Sequence, residues 1–148
     1  MPRRALVLAL VLQLSAVAAW AGFTEEQRRA LDGARYVYIQ SERRSGDWSK
    51  PAEIWFFVDG DALYVGTRPT SWRVRRIEAG RRKARIAIGS PQGPAFEARG
   101  ALVKDPALEQ KLMEAFARKY PDGWPRHEES FREGFRSGDR VLVSYTPR

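Results

Sequence analysis

The sequence predicts a mainly β protein with inserted helices, built as a six-stranded antiparallel barrel, closed or split, with two or three helices. Short stretches that alternate apolar and polar residues recur along the chain, which is typical of half-buried strands. Turn sequences such as Asp59-Gly60 and residues 90–94 join neighbouring stretches directly, as they do in hairpins. A barrel also protects the sheet edges, which would otherwise template aggregation.

The first 21 residues have the pattern of a secretory signal peptide. Two arginines precede an apolar run over residues 5–14, and Ala19 and Ala21 suit cleavage after Ala21. The run is shorter than the roughly 20 apolar residues that a membrane anchor requires. We therefore expect one mature domain over residues 22–148, secreted or periplasmic, which contacts the membrane only through the signal peptide before cleavage. The arginine pair leaves the ordinary and the twin-arginine export routes both open.

The chain is basic, with 26 Lys and Arg residues against 18 Asp and Glu residues and a formal net charge of +8. Loss of Arg3 and Arg4 with the signal peptide removes two of these charges and leaves +6. Such a charge favours anionic partners: phosphorylated ligands, nucleic acid or anionic lipid. Because export separates the protein from nucleic acid, we expect no nucleic-acid partner. The chain has no cysteine, which excludes a disulfide framework and a thiolate metal site.

The part of the chain before residue 68 predicts one helix and three strands. Thr24 and Gln27 have capping-box spacing, so we expect a short helix that ends near Gly33. The three strands are predicted over residues 35–44, 52–58 and 62–67.

Residues 62–83 contain the strongest functional signal in the sequence. The strand over 62–67 meets Pro69, which has no N–H to donate to a ladder. Thr70 or Ser71 can cap a short helix that Gly80 ends in a left-handed conformation. Hydroxyl and guanidinium groups concentrate there, on Thr67, Thr70, Ser71, Arg68, Arg73, Arg75 and Arg76. Together with the free N–H groups of a helix start they predict a seat for phosphate, and the alternative is a solvated basic face.

After the basic helix, strands are predicted over residues 82–89, 95–104 and 140–145. Asp105-Pro106 supplies a cap and a first-turn proline for the longest helix. An apolar stripe at every fourth residue of this helix indicates core packing. The stripe residues are Leu108, Leu112, Phe116 and Tyr120. Residues 124–136 have a mixed pattern that admits a further short helix.

Residues 54–89 resemble the core of the split-barrel flavin-binding proteins, which are the pyridoxamine 5'-phosphate oxidase-like fold and its deazaflavin-dependent relatives. In that family two hairpin strands run into a Ser/Thr turn, then a helix of Lys/Arg-Val-Lys/Arg-Arg-hydrophobic type, then a basic strand. The matching residues are 54–58, 63–67, Ser71, Arg73-Val74-Arg75-Arg76-Ile77 and Arg85-Ile86-Ala87. The order of the predicted elements extends the resemblance over most of residues 22–148.

The resemblance implies a cofactor, FMN or deazaflavin, and a homodimer. The family holds the cofactor phosphate with hydroxyl and basic side chains of the third strand, the turn and the helix. In this sequence those positions are Thr67, Ser71, Arg73 and Arg76, with Arg68 as a further candidate. The flavin ring lies against the second and third strands at the dimer interface, a position that implicates Trp55, Phe57 and Tyr64.

No catalytic residue can be nominated from the sequence. His127 is the only histidine and cannot build a metal site alone, so we expect no metal. Glu128 and Glu129 are adjacent and would point to different sides of a helix, which makes them a poor acid–base pair. The sequence contains no nucleophile elbow, P-loop or dinucleotide fingerprint.

Three functions remain open at this point. The first is an exported split-barrel protein that binds FMN or deazaflavin and is a candidate oxidoreductase, in which the hydride chemistry belongs to the cofactor. The second is a non-enzymatic periplasmic binding module for a phosphorylated or otherwise anionic ligand. The third is a structural envelope protein whose arginines contact anionic lipid.

Overall fold

The computed structural model describes residues 22–148, so the expected signal peptide over residues 1–21 lies outside the described residues. Within that range the chain forms seven strands, four α-helices and a short 3-10 helix, Trp124–Arg126. In chain order the strands and α-helices are α1 Glu25–Gly33, β1 Val37–Ser41, β2 Ala52–Ile54, β3 Phe57–Asp59, β4 Ala62–Thr67, α2 Trp72–Glu78, β5 Lys83–Ile88, β6 Ala95–Val103, α3 Pro106–Lys119, α4 Glu128–Ser137 and β7 Val141–Pro147.

The seven strands form one antiparallel sheet in the order β2-β1-β5-β6-β7-β4-β3. The strands β2 and β3 are consecutive in sequence, separated only by Trp55 and Phe56, yet they lie at the two ends of this order. An extended residue spans at most about 3.6 Å, so a two-residue link reaches only a short distance. The sheet must therefore curl until its edges come together, which makes it a split barrel.

The strand count corrects the prediction of six strands. Residues 52–58, which we expected to form one strand, are divided into β2, paired with β1, and β3, paired with β4. The division has a side-chain cause. The N–H of Phe56 donates to the hydroxyl of Tyr120 at 3.2 Å, and the ring of Phe56 is only 1% exposed. The indole of Trp55 stacks on the Tyr120 ring with centroids 4.3 Å apart.

The helix count is likewise higher than the predicted two or three, because residues 128–137 form a full helix, α4. The predicted starts of α1 and α3 and the end of α2 at Gly80 are confirmed, whereas the cap predicted at Thr70 or Ser71 is not, because the Ser71 side chain makes no cap hydrogen bond. Thr24 and Gln27 form the capping box of α1, with N–H to side-chain oxygen distances of 3.1 and 2.9 Å. Asp105 caps α3 by accepting from the N–H of Ala107 at 2.9 Å. Gly80 follows α2 with a φ of +85°, the left-handed conformation expected there.

The apolar side chains form two clusters, one on each face of the curled sheet. The barrel cluster fills the interior, and its members include Val37, Ile39, Leu63, Val65, Ile86, Val143 and Tyr145. The helix cluster lies between the outer face of the sheet and helices α3 and α4, and includes Leu112, Phe116, Tyr120, Trp124, Phe131 and Phe135. The apolar stripe of α3 is therefore core packing, as predicted.

Residues 22–148 contain neither a candidate membrane-spanning helix nor a candidate metal-binding cluster. None of the helices there combines the length and apolar content needed to cross a bilayer. No group of three or more histidine, aspartate or glutamate side chains in the same range is placed to hold a metal ion.

Candidate anion-binding site

A cavity of about 420 Å³ lies between the β1–β2 hairpin on one side and the end of β4 with the start of α2 on the other. We call it the anion seat. Its lining residues are Ile39, Ser41, Arg43, Ser49, Lys50, Ala52, Thr67, Ser71, Trp72, Arg73 and Arg76. Four of the residues that the sequence assigns to a phosphate, namely Thr67, Ser71, Arg73 and Arg76, therefore lie together on one cavity.

The local sequence explains how β4 and α2 present these groups. Side chains alternate along β4, so that Leu63 and Val65 enter the barrel cluster and Thr67 follows them on the same face at the barrel mouth. The N–H of Ser71 then donates to the carbonyl of Arg68 at 3.1 Å, which closes a turn around Pro69. Helix α2 starts at the next residue and brings Arg73 and Arg76 to the cavity.

Two polar atoms of the anion seat are buried without a hydrogen-bond partner in the described part of the chain. They are the hydroxyl oxygen of Ser71 and Nη1 of Arg73. Ser71 occupies the N-cap position of α2 but makes no side-chain cap hydrogen bond. A buried polar group that lacks a partner costs about 1–3 kcal/mol, more when it is charged. A ligand that hydrogen-bonds to both atoms would remove this cost.

The electrostatics of the seat favour an anion. Four cationic side chains line it, Arg43, Lys50, Arg73 and Arg76, and the lining contains no carboxylate. None of the four belongs to an ion pair found among residues 22–148. Burial, with a further contribution from the positive charges of Arg43 and Arg81, lowers the pKa of Arg76. A doubly charged anion would relieve this repulsion.

An exposed aromatic ring forms one wall of the seat. Trp72 is 66% exposed, which is unusual for a residue of its size in this protein. The guanidinium carbons of Arg75 and Arg76 lie 5.3 and 5.5 Å from its ring centroid, within the range of cation–π attraction. The ring is therefore held at the mouth of the cavity, where it can pack against a flat group of a ligand.

The residues that sequence reasoning missed come from the β1–β2 hairpin. Ser41, Arg43, Ser49 and Lys50 supply four of the eleven lining residues. The Ser49 hydroxyl accepts from the N–H of Ser41 at 2.8 Å and donates to the carbonyl of Lys50 at 3.2 Å. These contacts fix the hairpin end. The sequence around 45–47 showed only a turn, and nothing local indicates that this turn packs near α2.

No family model and no curated protein sequence matches this chain. Solved structures do match. The Vibrio cholerae heme storage protein HutZ aligns with a TM-score of 0.61 and 11% identity, over 86% of this chain and 91% of its own. An F420 reductase aligns with a TM-score of 0.56 and 22% identity, over 85% of this chain and 96% of its own. A candidate pyridoxamine 5'-phosphate oxidase from Listeria innocua gives a TM-score of 0.59 and 15% identity, over 83% and 91% of the two chains.

The chain has the pyridoxamine 5'-phosphate oxidase-like split-barrel fold. At these identities the likeness concerns the fold alone.

In this split barrel the other predicted site residues lie away from the anion seat. Arg68 is exposed and lines a separate cavity beside α4. Trp55 stacks on Tyr120, and Phe57 stacks on Tyr64 with centroids 5.2 Å apart, all in the helix cluster. The reason is the strand period of two: Tyr64 and Thr67 are three residues apart on β4 and so face opposite sides of the sheet. The structure brings the phosphate set together and leaves the three aromatic residues on the other face.

Proposed function

We propose that this chain is an exported split-barrel protein that holds a flavin-type cofactor, FMN or a deazaflavin, by its phosphate in the anion seat, and that it is an oxidoreductase. The observation that carries the proposal is the pair of buried, unpartnered groups, the Ser71 hydroxyl and Arg73 Nη1, in a cavity lined by four cations. A buried guanidinium nitrogen and a buried hydroxyl that lack hydrogen-bond partners each cost stability. A bound anion would supply the hydrogen-bond acceptors that the Ser71 hydroxyl and Arg73 Nη1 lack, and the counter-charge for the four cations.

The residues present fit the phosphate end of such a cofactor. A phosphate monoester carries two negative charges near neutral pH and accepts several hydrogen bonds, which suits Arg73, Arg76, Lys50 and the Ser71 and Thr67 hydroxyls. The exposed ring of Trp72 can pack on the flat portion of the ligand and exclude water from one side. A bound flavin would supply hydride transfer, whereas the chain itself binds and orients the cofactor.

The second candidate function is a non-enzymatic binding module for a phosphorylated or other anionic ligand. It is favoured by the chemistry of the lining, which contains arginine, lysine, serine and threonine side chains but no carboxylate and no histidine. Such a set binds an anion strongly but offers no group that exchanges a proton near neutral pH.

The two functions are separated by a spectrum followed by a thermal-shift series. If the first is correct, the purified protein shows flavin or deazaflavin absorbance, and FMN raises the melting temperature more than riboflavin, which lacks the phosphate. If the second is correct, the protein is colourless and inorganic phosphate or a simple phosphate monoester stabilises it as well as FMN does. Equal stabilisation by FMN and riboflavin would contradict both, because it would make the phosphate irrelevant.

Export and dimerisation are parts of the same proposal with their own tests. The expected signal peptide predicts that tagged protein is found outside the cytoplasm and begins at Gly22. Mass analysis of the purified protein by light scattering gives twice the mass of residues 22–148 if the chain is a homodimer. A cytoplasmic, uncleaved protein refutes the export step, and a monomer at high concentration refutes the dimer.

A further inference from the structure

The opposite face of β4 carries a second set of groups, separated from the anion seat by the strand itself. Gly66 and Thr67 are adjacent and face opposite sides of the sheet. Thr67 lines the anion seat, whereas Gly66 lines a cavity of about 330 Å³ against helices α3 and α4. Arg140, the residue before β7, lines this cavity and also a neighbouring one of about 500 Å³ that contains Arg68.

Arg140 is a half-buried cation without a counter-ion. No ion pair found among residues 22–148 includes it. Its Nε atom is buried without a hydrogen-bond partner in the described chain, and Nη2 makes one long hydrogen bond, 3.5 Å, to the Ser130 hydroxyl. Burial, together with the charge of Arg68, lowers the pKa of Arg140. A guanidinium has five N–H donors, and Arg140 uses only one of them within the described chain, so it can still donate hydrogen bonds to an anion.

Two glycines make the room that Arg140 and its neighbours occupy. A Cβ atom on Gly134 would lie 2.8 Å from the Cβ atom of Arg140. A Cβ atom on Gly66 would lie 3.0 Å from Cε1 of Phe131. Both distances are shorter than normal carbon–carbon contacts. The absence of side chains at these two positions is what allows an arginine to cross between β4 and α4.

Besides Arg140, four of the seven other residues that line the 330 Å³ cavity are aromatic. The guanidinium carbon of Arg140 lies 3.7 Å above the Phe131 ring centroid. Trp55 and Phe116 form further walls, edge to face with centroids 5.6 Å apart, and His127 lies 5.5 Å from Trp55. The cavity also contains Glu53, whose carboxylate accepts a hydrogen bond from the Tyr38 hydroxyl at 2.7 Å.

We propose that this cavity, which we call the Arg140 slot, binds a small aromatic carboxylate. The carboxylate pairs with the guanidinium of Arg140, because that geometry is the one a planar guanidinium matches best. The ring packs against Trp55 and Phe131, since aromatic pairs favour edge-to-face and offset arrangements. The adjoining cavity carries Arg68 together with the carboxylates of Glu133 and Asp139, so attraction for the ligand carboxylate rests on Arg140. The Arg140 slot is on the other side of β4 from the anion seat. The proposal that it binds an aromatic carboxylate therefore does not depend on the proposal that the anion seat binds a flavin.

Benzoate titrated into the full protein tests the Arg140 slot, with benzamide as the uncharged ring and acetate as the anion without a ring. We expect benzoate to bind at least about tenfold more tightly than either, the scale of one charge-assisted hydrogen bond. Arg140→Gln should reduce benzoate affinity by about tenfold or more, whereas Arg136→Gln, an exposed arginine paired with Glu133, should leave it unchanged.

A measurement on the unmodified protein covers the case in which Arg140→Gln fails to fold. In two-dimensional NMR of the indole N–H groups, benzoate should shift the signal of Trp55, assigned with Trp55→Phe, and leave the signal of Trp72 in place. A shift at Trp72 would place benzoate in the anion seat and overturn the proposal. Equal binding of benzoate and benzamide, or unchanged binding to a folded Arg140→Gln variant, would overturn it as well.

Discussion

Replacing Arg73 by methionine should change ligand affinity and stability in opposite directions. Methionine keeps most of the aliphatic stem of this α2 residue and removes the charge and the donors. One donor, Nη1, is buried without a partner in the described chain, so the wild-type side chain carries a desolvation cost that methionine does not. We therefore expect the ligand-free variant to be as stable as wild type or more stable by about 1 kcal/mol.

The loss of affinity follows from the same geometry. A hydrogen bond between a charged donor and a phosphate contributes about 1.5–3 kcal/mol. Taking about 2 kcal/mol, the dissociation constant for FMN or inorganic phosphate should rise by roughly 30-fold, since 1.4 kcal/mol is a factor of ten. Isothermal titration calorimetry measures the affinity, and urea unfolding of the ligand-free protein measures the stability.

Arg118→Met is the matched control, because Arg118 is an exposed arginine near the end of α3 that does not line the anion seat. It removes the same charge from the protein as a whole. If it weakens binding as much as Arg73→Met does, the effect is a general one of net charge. If Arg73→Met instead destabilises the ligand-free protein and leaves affinity intact, Arg73 is a structural residue and the reasoning is refuted.

Three further predictions concern the core. Tyr120→Phe removes the hydroxyl that accepts from Phe56 N–H at 3.2 Å and donates to the Arg35 carbonyl at 2.7 Å, so the free energy of unfolding should fall by about 1–3 kcal/mol in urea melts. Gly100→Ala would put a methyl group 2.9 Å from a side-chain carbon of α2 and should lower the melting temperature without changing the fold seen by circular dichroism. Burial lowers the pKa of Lys119 to about 8 from 10.5, so the unfolded chain holds a proton there that the folded chain has lost. The free energy of unfolding should therefore rise by on the order of 1 kcal/mol between pH 8 and 10.5, a value that allows for partial screening by solvent. Lys119→Met should abolish this pH dependence.

Much of the fold was visible in local patterns. The turn after β4, the short helix ended by Gly80, the Asp105 cap and the stripe of α3 each depend on residues close together in sequence, and the structure confirms them. The break between β2 and β3 was not visible. Residues 54–58 are uniformly apolar, and their break depends on Tyr120, more than sixty residues away.

The candidate site likewise contains some residues that the local sequence predicts and others that it does not. Thr67, Ser71, Arg73 and Arg76 lie within ten residues, so a single motif could predict them. The hairpin residues from Ser41 to Lys50 join the cavity only through the curl of the sheet. For Tyr64 the sequence did carry a signal, since its odd separation from Thr67 on one strand puts the two side chains on opposite faces.

The position of β7 in the sheet has a consequence for cooperativity. β7 pairs with both β4 and β6, and without it the sheet would separate into β2-β1-β5-β6 and β4-β3, joined by the Trp55–Phe56 segment and by helix α2 between β4 and β5. The anion seat takes its hairpin residues from the first piece and Thr67 from the second. A ligand in the anion seat would therefore contact both pieces of the sheet and stabilise their association. At a hundred times its dissociation constant it would add about 2.7 kcal/mol to their association.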